Sequence, residues 1–506
     1  MKYPKLYVII MMISFFAVTV FLNFAGRNDY SEVERRELAE FPDLNADAYM
    51  DGSYFKGITI WFSDTVPMRD SLTTLALAAE DCKGIRLKTG EEEISFHGVS
   101  VINEDNSESV PEEYAVSEDK PASNDKIAAD TSVTSGNAAD EAGRTEIPAV
   151  SEDGTAGEAQ AAEGQGTALP AHTNDTISDN VAAPSDDFTS AANGIIVTGD
   201  GANTRAIMMY GGSTDVTTRY AQTANHYKEL MPELNVFVMV IPTSVSYYCP
   251  QAALAYTGSQ LKQINNVQAH LNDDVYGIDV YTILGEHRDE PIYLRTDHHW
   301  APLGAYYAAS KLAEAAGVDF LDISEYDENV VHGYVGSMYA YAKDIRISSN
   351  PEDFVYYVPK NVTLKTTYTN YRLDSSWNVA GEAEPSEGSF FIKYPDGSGG
   401  AYCTFMGGDA KITRVETSTD NGRRLLILKD SYGNALPAFL FGSFEEVHVI
   451  DSRYFTHNIQ DYIAEYGITD LLFANNAFHA STGATVRAYE KYLTQDRAVS
   501  ENKTEE

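Results

Sequence analysis

The sequence predicts an α/β protein in which a parallel β-sheet is flanked by helices. Short apolar segments alternate with amphipathic ones over residues 191–495, and polar clusters directly follow several of the apolar segments. The composition, 43% hydrophobic and 11% aromatic, is sufficient for a substantial core. Alternating strands and helices are typical of βαβ units, whose strands pair in parallel. We therefore expect one α/β domain over 191–495, preceded by a transmembrane helix and a long disordered insert.

The amino terminus is predicted to be a membrane anchor, residues 1–26. Lys2 and Lys5 precede the uncharged run LYVIIMMISFFAVTVFLNF, which is about long enough to cross a bilayer as a helix. Basic residues before the run and few after it favour a cytoplasmic amino terminus. A cleaved signal peptide is the alternative, but the run is long for one and no small-x-small site follows. Either way the body is exported, as a single-pass protein of the cell membrane if the anchor is kept.

Two segments separate the anchor from the α/β domain. Residues 27–102 are predicted to be a helical, membrane-proximal segment. Residues 103–190 are rich in Ala, Ser, Thr, Gly, Glu and Asp and almost lack aromatic residues, so we expect a disordered acidic insert. Residues 496–506 are expected to be a disordered tail.

Within the domain, the expected elements follow the chain in βαβ order. Residues 205–212 and 235–243 are expected to be strands around a helix at 217–234, and a second helix at 259–272 precedes strands at 276–284 and 291–296. A helix at 302–317 and a β-rich insertion or lid at 320–400 follow. The final elements are strands at 423–431, 445–455 and 468–476, alternating with helices at 435–443, 459–467 and 487–495.

The formal net charge of −39 excludes nucleic acid as a partner, because a phosphate backbone would be repelled. Much of that charge lies in the insert. The three cysteines, Cys82, Cys249 and Cys403, are far apart and form no CxxC motif, so we expect neither a zinc site nor a disulfide framework.

Three polar clusters follow predicted strands: Asp297-His298-His299-Trp300, Lys429-Asp430-Ser431-Tyr432-Gly433-Asn434 and Asn475-Asn476. In an open α/β sheet, ligands bind beyond the carboxyl ends of the strands. A serine at such an end is a nucleophile when a histidine, oriented by a carboxylate, takes its proton. Asp297 and His299 are two residues apart, so in an extended segment both face the same side and His298 faces the other. The backbone N–H of Ser431 and an amide of Asn475 or Asn476 could then stabilise an oxyanion.

Other interpretations of these clusters remain. Asp430 or Ser431 could simply cap a helix, and the two asparagines are typical turn residues. Asp297 with two adjacent histidines could hold a metal, but adjacent histidines do not easily share one ion and no third ligand is evident, so we expect no metal. His298 is expected to be structural.

The blocks around these residues resemble the DHHW protein family, whose motif is present as YLRTDHHWAPLGAYYA. SEVERRELAEFP, WFSDTVPMRDS, GSMYAYAKDI, LLILKDSYGNALPAFL and HVIDSRYF also look like family blocks, in the family's order. The family resembles in turn the SGNH-hydrolase-like domains of the AlgX and AlgJ alginate O-acetylation proteins. The resemblance implies a circularly permuted motif order, because the Asp/His block precedes the serine block here.

By residue, the resemblance implies Ser431 as nucleophile, His299 as base and Asp297 as its orienting carboxylate. Asn475 or Asn476, with Gly407 or Gly408, would form the oxyanion hole. Lys429 departs from the usual Gly-Asp-Ser, and the asparagine block departs from Gly-x-Asn-Asp.

The implied activity is an O-acetyltransferase or acetylesterase acting on cell-surface polysaccharide, without a cofactor. Its implied partner is a membrane acyl-transfer protein. A non-catalytic glycan-binding or scaffold protein is the alternative, favoured by the 33 tyrosines, since aromatic faces stack on sugars. Lipid esterase activity is a third option.

Overall fold

The structure is a computed structural model. It describes residues 192–374 and 378–495 without interruption and, before them, Phe16, Tyr49 and the stretches 26–27, 30–31, 36–44, 53–68, 86–89, 92–101 and 169–179. Its strands are β1 (Tyr30–Ser31), β2 (Arg36–Glu37), β3 (Arg86–Thr89), β4 (Glu92–Val101), β5 (Ala192–Thr198), β6 (Arg205–Met208), β7 (Asn235–Ile241), β8 (Val275–Gly277), β9 (Tyr326–Tyr334), β10 (Glu352–Pro359), β11 (Leu364–Leu373), β12 (Val379–Glu382), β13 (Ser386–Gly388), β14 (Lys411–Thr417), β15 (Arg424–Lys429), β16 (Glu446–Asp451) and β17 (Asp470–Asn476). Its α-helices are α1 (Ser53–Asp64), α2 (Thr214–Leu230), α3 (Val245–Tyr248), α4 (Gln260–Gln268), α5 (Val280–Glu286), α6 (Pro302–Ala316), α7 (Met338–Ala342), α8 (Ile345–Ser349), α9 (Ile459–Tyr466), α10 (Ala477–Ala480) and α11 (Gly483–Thr494).

A central sheet organises the protein as a mixed α/β fold. Its strand order is β12-β11-β14-β16-β15-β17-β7-β8, with β13 on β11. The strands from β16 to β8 are parallel, and β14 and β11 add antiparallel neighbours. The chain leaves β15 for β16 on one side and then crosses to β17 on the other. The order therefore reverses between β15 and β17, which is where open α/β sheets bind ligands.

The core lies on both faces of this sheet, because successive strand residues point to opposite sides. In β15, Leu426 and Leu428 belong to a cluster that includes Tyr220 of α2 and Tyr489 of α11. Leu425 and Ile427 belong to the opposite cluster, which includes alanines of α6. Burial on both faces explains why β15 is a continuous apolar run and not an alternating one.

Helix α6 follows the Asp-His-His-Trp block and matches its predicted range closely. Pro302 occupies its first turn, and Gly317 ends it in the left-handed conformation, at φ 62°. Gly304 packs so closely that a Cβ would lie 2.5 Å from the carbonyl oxygen of Ile292. The helix is thereby fixed against the loop that carries Asp297 and His299.

The membrane-proximal segment 27–102 differs in part from the predicted helix. Its residues 53–64 are helical, but residues 86–101 form β3 and β4, which join β5 and β6 in a second, antiparallel sheet. Phe96 pairs with Ile196 across about a hundred residues of sequence. The apolar strand β5, which covers β4, lies beyond the acidic insert, so local periodicity could not reveal this pairing.

Part of the acidic insert 103–190 also differs from its predicted disorder, since residues 169–179 lie against the domain. Asn174 donates to the carbonyl of Val275 and accepts from the amide of Gly277, at 2.9 and 2.8 Å. Ile177 is buried, and its amide donates to Asn265 Oδ1. Specific side-chain amides order this stretch, and its composition does not reveal them.

Three smaller predictions are corrected by the structure. The apolar run 276–284 forms β8 only to Gly277 and then becomes α5, whose N-terminus is capped by Asp279. Residues 291–296 form a loop with an isolated bridge between Tyr293 and Trp300, where a strand was expected. In the expected insertion 320–400, β9 and β10 form a separate antiparallel pair, with α7 and α8 in the connection between them. Strand β11, in contrast, belongs to the central sheet.

The predicted anchor, residues 1–26, falls outside the described residues except for Phe16 and Gly26, as do most of the insert and the tail 496–506. Within the described ranges, no helix combines the length and apolar character needed to cross a membrane.

Candidate active site

Two adjacent strands and one loop bring the predicted site residues together. β15 ends at Lys429 and is followed by Asp430 and a 3₁₀ turn, Ser431–Asn434. β17 lies beside β15 and ends at Asn475 and Asn476. The loop before α6 crosses the same edge of the sheet with Asp297 and His299. The site thus lies at the carboxyl ends of the strands, where the strand order reverses.

Asp297, His299 and Ser431 form a continuous hydrogen-bonded relay. His299 Nε2 lies 2.9 Å from Ser431 Oγ, and His299 Nδ1 lies 2.6 Å from Asp297 Oδ1. All three residues are buried, and Ser431 is only 1% exposed. An imidazole that donates Nδ1–H to a carboxylate presents Nε2 as the acceptor of a serine proton. The structure therefore brings these residues into the order carboxylate, imidazole, hydroxyl.

Asp297 is held ionised by donors from several elements. The hydroxyl of Tyr334 and the backbone N–H of Ser337 both donate to its Oδ2 at 2.8 Å, and the N–H of His299 donates to Oδ1 at 3.0 Å. Burial by itself raises the pKa of this carboxyl, but its interactions with His299, His298 and the Ser337 amide hold the pKa well below the usual range. Asp297 is thus an anion suited to stabilising an imidazolium.

The GSMYAYAKDI block forms the cradle of this carboxylate. Gly336 donates its N–H to Thr296 Oγ1 at 3.1 Å, and a Cβ on Gly336 would overlap the Asp297 side chain, 2.7 Å from its Cγ. Ser337 Oγ lies 2.6 Å from His298 Nδ1. Tyr334, Gly336 and Ser337 carried no predicted role, although the last two open a block already identified by its family resemblance.

His298 lies beside His299, but its hydrogen bonds are made to residues outside the relay. Its imidazole contacts Ser337, and its carbonyl accepts from the hydroxyl of Tyr432. The ligand atoms of Asp297, His298 and His299 lie within 4.8 Å of one another, as in a metal site. However, Asp297 and His299 are in direct hydrogen-bond contact at 2.6 Å, which is shorter than the separation of two ligands bound to one ion about 2.0 Å from each. This geometry fits a hydrogen bond better than a metal.

Asp430 is fully buried and organises the turn beneath Ser431. It accepts from the N–H of Tyr432 at 2.9 Å and from the N–H of Asn476 at 2.8 Å. The side-chain amides of Asn475 and Asn476 donate to the same carboxylate, each at 3.2 Å. Asn475 Oδ1 also accepts from the hydroxyls of Tyr220 and Tyr489. The arrangement makes both asparagines supports of Asp430, which differs from their predicted oxyanion role, because a buried carboxylate needs these donors.

The glycines predicted for the oxyanion hole lie in an unusual turn. Met406, Gly407 and Gly408 all have positive φ, at 65°, 71° and 114°. Gly407 donates its N–H to the carbonyl of Cys403 at 3.1 Å. The N–H groups of Gly408 and Ser431 donate to no other described atom, so both are available to a ligand. A left-handed non-glycine residue such as Met406 costs free energy and is often associated with a functional site.

Lys429 anchors the turn of Gly407 and Gly408 through Asp409, the residue that directly follows it. Its ammonium contacts Asp409 and lies 3.0 Å from Asp451, and Arg453 binds both carboxylates. Burial lowers the pKa of Lys429, but the two carboxylates outweigh it and raise the pKa above its usual value. Gly433 leaves space for the lysine, since a Cβ there would lie 2.5 Å from Lys429 Cβ. The departure from Gly-Asp-Ser therefore has a structural function.

Tyr402 contacts the imidazole of His299 and the backbone of Ser431, and it was not predicted. Its ring stacks on the imidazole of His299, with centroids 3.8 Å apart and planes 10° apart. Its hydroxyl donates to the carbonyls of Ser431 and Tyr432, at 3.2 and 3.0 Å. Nothing in the sequence around Tyr402 distinguishes it from the other tyrosines, because its partners are distant in the chain.

A small pocket opens beside His298 and Tyr432, which are the chain neighbours of His299 and Ser431. It adjoins the ends of β6, β7 and β17 and the turn after β15, and its lining combines apolar, hydroxyl and imidazole groups: Met208, Thr243, Ser244, His298, Tyr432, Asn476 and Phe478.

Comparison with known proteins places this chain in a family. The DHHW protein family model matches residues 34–450. The crystal structure of a DHHW family protein from Eubacterium siraeum is 38% identical, covers 60% of this chain and 96% of its own, and superposes with a TM-score of 0.53. PatB1 of Bacillus cereus (18% identity, 57% and 99% coverage, TM-score 0.47) and the O-acetyltransferase domain of Pseudomonas putida AlgJ (11%, 58% and 99%, 0.34) are more distant matches. No curated protein sequence matches the chain.

Proposed function

Because this chain belongs to the DHHW protein family and joins Asp297, His299 and Ser431 in one relay, we propose that it is an acyl-transfer enzyme with Ser431 as nucleophile. The main observation that supports this proposal is the pair of hydrogen bonds of His299. Its Nε2 lies 2.9 Å from Ser431 Oγ, and its Nδ1 lies 2.6 Å from Asp297 Oδ1. On this proposal the domain is SGNH-hydrolase-like, with the serine block moved behind the Asp/His block.

The proposed reaction has two steps. Ser431 Oγ attacks the carbonyl carbon of an acetyl donor while His299 Nε2 takes its proton, and collapse of the intermediate returns that proton to the leaving alcohol. His299 then removes a proton from a sugar hydroxyl or water, which attacks acetyl-Ser431, and Ser431 regains the proton as the product leaves. The free N–H groups of Ser431 and Gly408 are the proposed oxyanion donors. Apart from the acetyl donor and the acceptor, each step uses only side chains and backbone amides of this chain.

We base the choice of an acetyl group and of its acceptor on the sequence resemblance to alginate O-acetylation proteins. We propose cell-surface polysaccharide as acceptor, a membrane acyl-transfer protein as the source of acetyl groups and an exported body on an N-terminal anchor.

The proposed activity can be tested by measuring hydrolysis of a chromogenic acetyl ester by the purified full-length protein. We expect Ser431→Ala, His299→Gln and Asp297→Asn each to lower kcat/KM by roughly a thousand-fold or more. Ser452→Ala is the matched control, since Ser452 is a buried serine directly after the neighbouring strand β16. A fluorophosphonate should label wild type at Ser431. Full activity in Ser431→Ala would contradict the proposal.

A non-catalytic glycan-binding protein is the second candidate, and the 1% exposure of Ser431 favours it. It predicts polysaccharide binding that survives Ser431→Ala and His299→Gln, with no fluorophosphonate adduct on wild type. The presence or absence of a fluorophosphonate adduct on wild type therefore separates the two functions.

A further inference from the structure

We propose that Tyr402 is a positioning residue whose aromatic face stabilises the protonated form of His299 during the transfer. The inference rests on the proposed function, and it adds a fourth side chain to the relay of Asp297, His299 and Ser431.

The first support is the geometry of the stack. The two rings are nearly parallel, 10° apart, with centroids at 3.8 Å. An aromatic ring presents a negative face, so a cation lying over that face is attracted to it, and more strongly where water is excluded. Tyr402 and His299 are both buried. The attraction grows when His299 accepts the proton of Ser431, which is the moment at which it contributes to catalysis.

The second support is that Tyr402 is itself fixed on several sides. Its hydroxyl donates to the carbonyls of Ser431 and Tyr432, so one side chain ties the base to the backbone of the nucleophile. Phe354 and Phe405 pack edge-on against its ring, each at 6.2 Å. A ring held in this way keeps the imidazole plane aligned with both Ser431 and Asp297.

The third support is where Tyr402 lies in the chain. It belongs to the 3₁₀ turn Ala401–Thr404, which leads directly into the left-handed residues Met406, Gly407 and Gly408. Asp409, at the far end, is bound by Lys429 and Arg453. The segment that carries the candidate oxyanion donor is therefore fixed at one end by the relay and at the other by an ion cluster.

Among the described residues, four other side chains surround the imidazole of His299. Asp297 lies at Nδ1 and Ser431 at Nε2. The ring of His298 is centred 3.8 Å away and that of Tyr432 5.2 Å away. Two variants that both keep a ring and lack the hydroxyl at position 402 differ only in the charge distribution of that ring, so a difference between them at His299 reports on the stack.

Three substitutions separate the ring from the hydroxyl. Tyr402→Phe keeps the stack and removes the hydroxyl, whereas Tyr402→Leu removes both. Pentafluorophenylalanine at position 402 keeps the shape of phenylalanine and reverses the charge distribution of the ring. Tyr356→Leu is the control for a lost buried ring, since Tyr356 stacks on Phe354 at 6.1 Å in the same core.

The readouts are acetyl-ester kinetics and the titration of His299 by NMR, with the signal assigned through His299→Gln. We expect Tyr402→Leu to lower kcat about ten-fold with KM nearly unchanged. A ring that stabilises the imidazolium favours the protonated form of the base, so its removal should move the acid limb of kcat/KM to lower pH by about half a unit. Tyr402→Phe should keep the wild-type limb, and the pentafluoro variant should move it down.

The NMR titration needs no activity, so it tests the stack even if the proposed function fails. An identical His299 pKa in the phenylalanine and pentafluorophenylalanine proteins would overturn the inference, and this pair remains decisive if Tyr402→Leu does not fold. A kcat loss of equal size in Tyr356→Leu would also overturn it. Loss of wild-type activity with the expected pKa differences would instead contradict only the proposed function.

Discussion

At the scale of single residues, Asp430 and Ser431 are neighbours with opposite roles. Asp430 is fully buried and satisfies four donors from two strand ends, whereas Ser431 contributes one hydroxyl to the relay. We expect Asp430→Ala to lower the free energy of unfolding by about 3–5 kcal/mol, because it leaves buried donors without an acceptor. Ser431→Ala should change it by less than about 1 kcal/mol. Urea denaturation of both proteins measures the contrast, and equal stabilities would contradict it.

Lys429 provides a second test at this scale. Lys429→Gly restores the Gly-Asp-Ser form of related motifs but leaves Asp409 and Asp451 buried with Arg453 as their shared cation. We expect it to destabilise the protein by about 3–5 kcal/mol and to bring no gain in esterase activity. Lys365→Gly, at an exposed lysine, is the control. An active and stable Lys429→Gly protein would show that the ion cluster is dispensable.

The depressed pKa of Asp297 predicts a pH dependence of stability. A carboxyl whose pKa is lowered by folding stabilises the native state above its unfolded pKa, about 3.9, and that contribution is lost as the pH falls through the folded value. We expect the stability difference between wild type and Asp297→Asn to be constant from about pH 8 to 5 and to shrink below about pH 4. Chemical denaturation at each pH measures it. A difference that grew on acidification would have the wrong sign.

At the scale of elements, the GSMYAYAKDI block and the Asp-His-His-Trp loop fit together through one glycine. A methyl group on Gly336 would overlap the Asp297 carboxylate. We expect Gly336→Ala to lower kcat/KM at least ten-fold while far-ultraviolet circular dichroism is unchanged, because a misplaced orienting carboxylate costs catalysis first. Gly399→Ala is the control, since its nearest new contact is an ordinary 3.5 Å. Equal activity of the two variants would contradict the cradle.

The sequence was sufficient to predict the parallel strands, because β7, β15, β16 and β17 are short apolar runs bounded by turn residues. The prediction of a strand over 276–284 was wrong, because an apolar run that contains Asp279 is compatible with either a strand or a capped helix. The joining of β11 and β14 to the sheet was also missed. Their partners lie far away in the chain, and amphipathic patterns do not specify which strand pairs with which.

The candidate site was predictable to the extent that its side chains directly follow strands. Asp297, His299 and Ser431 have that position, and the structure brings them together. Tyr402 and Tyr334 approach from turns and a hairpin outside those strand ends, and only the folded chain reveals them. Asn475 and Asn476 have the right position, but their partner Asp430 could not be inferred from position alone.

At the scale of the whole molecule, Asp344 joins the second sheet to the site. Its buried carboxylate accepts from Ser95 and His97 of β4 and from Arg346. Asp344 also belongs to the GSMYAYAKDI block that contains Ser337, and it caps α8 at the end of that block. We expect Asp344→Ala to increase amide hydrogen exchange in β4 and α8 together. Asp322→Ala, at an exposed cap, is the control. Unchanged protection in β4 would show that other contacts hold the sheet in place.

The position of β17 has a consequence for how the protein is made. This strand lies between β15 and β7 in the sheet, yet it comes after every other strand in the described part of the chain, and Asp470 pairs with Asn235. Until residue 476 has been synthesised, β7 and β15 each present an open edge and have no shared neighbour. Pairing over such separations is slow, so a nascent chain exposes the apolar edge of β7 from the synthesis of residue 241 until β17 is made, and that of β15 from residue 429. We therefore expect truncation before β17 to give aggregation and not a smaller folded domain.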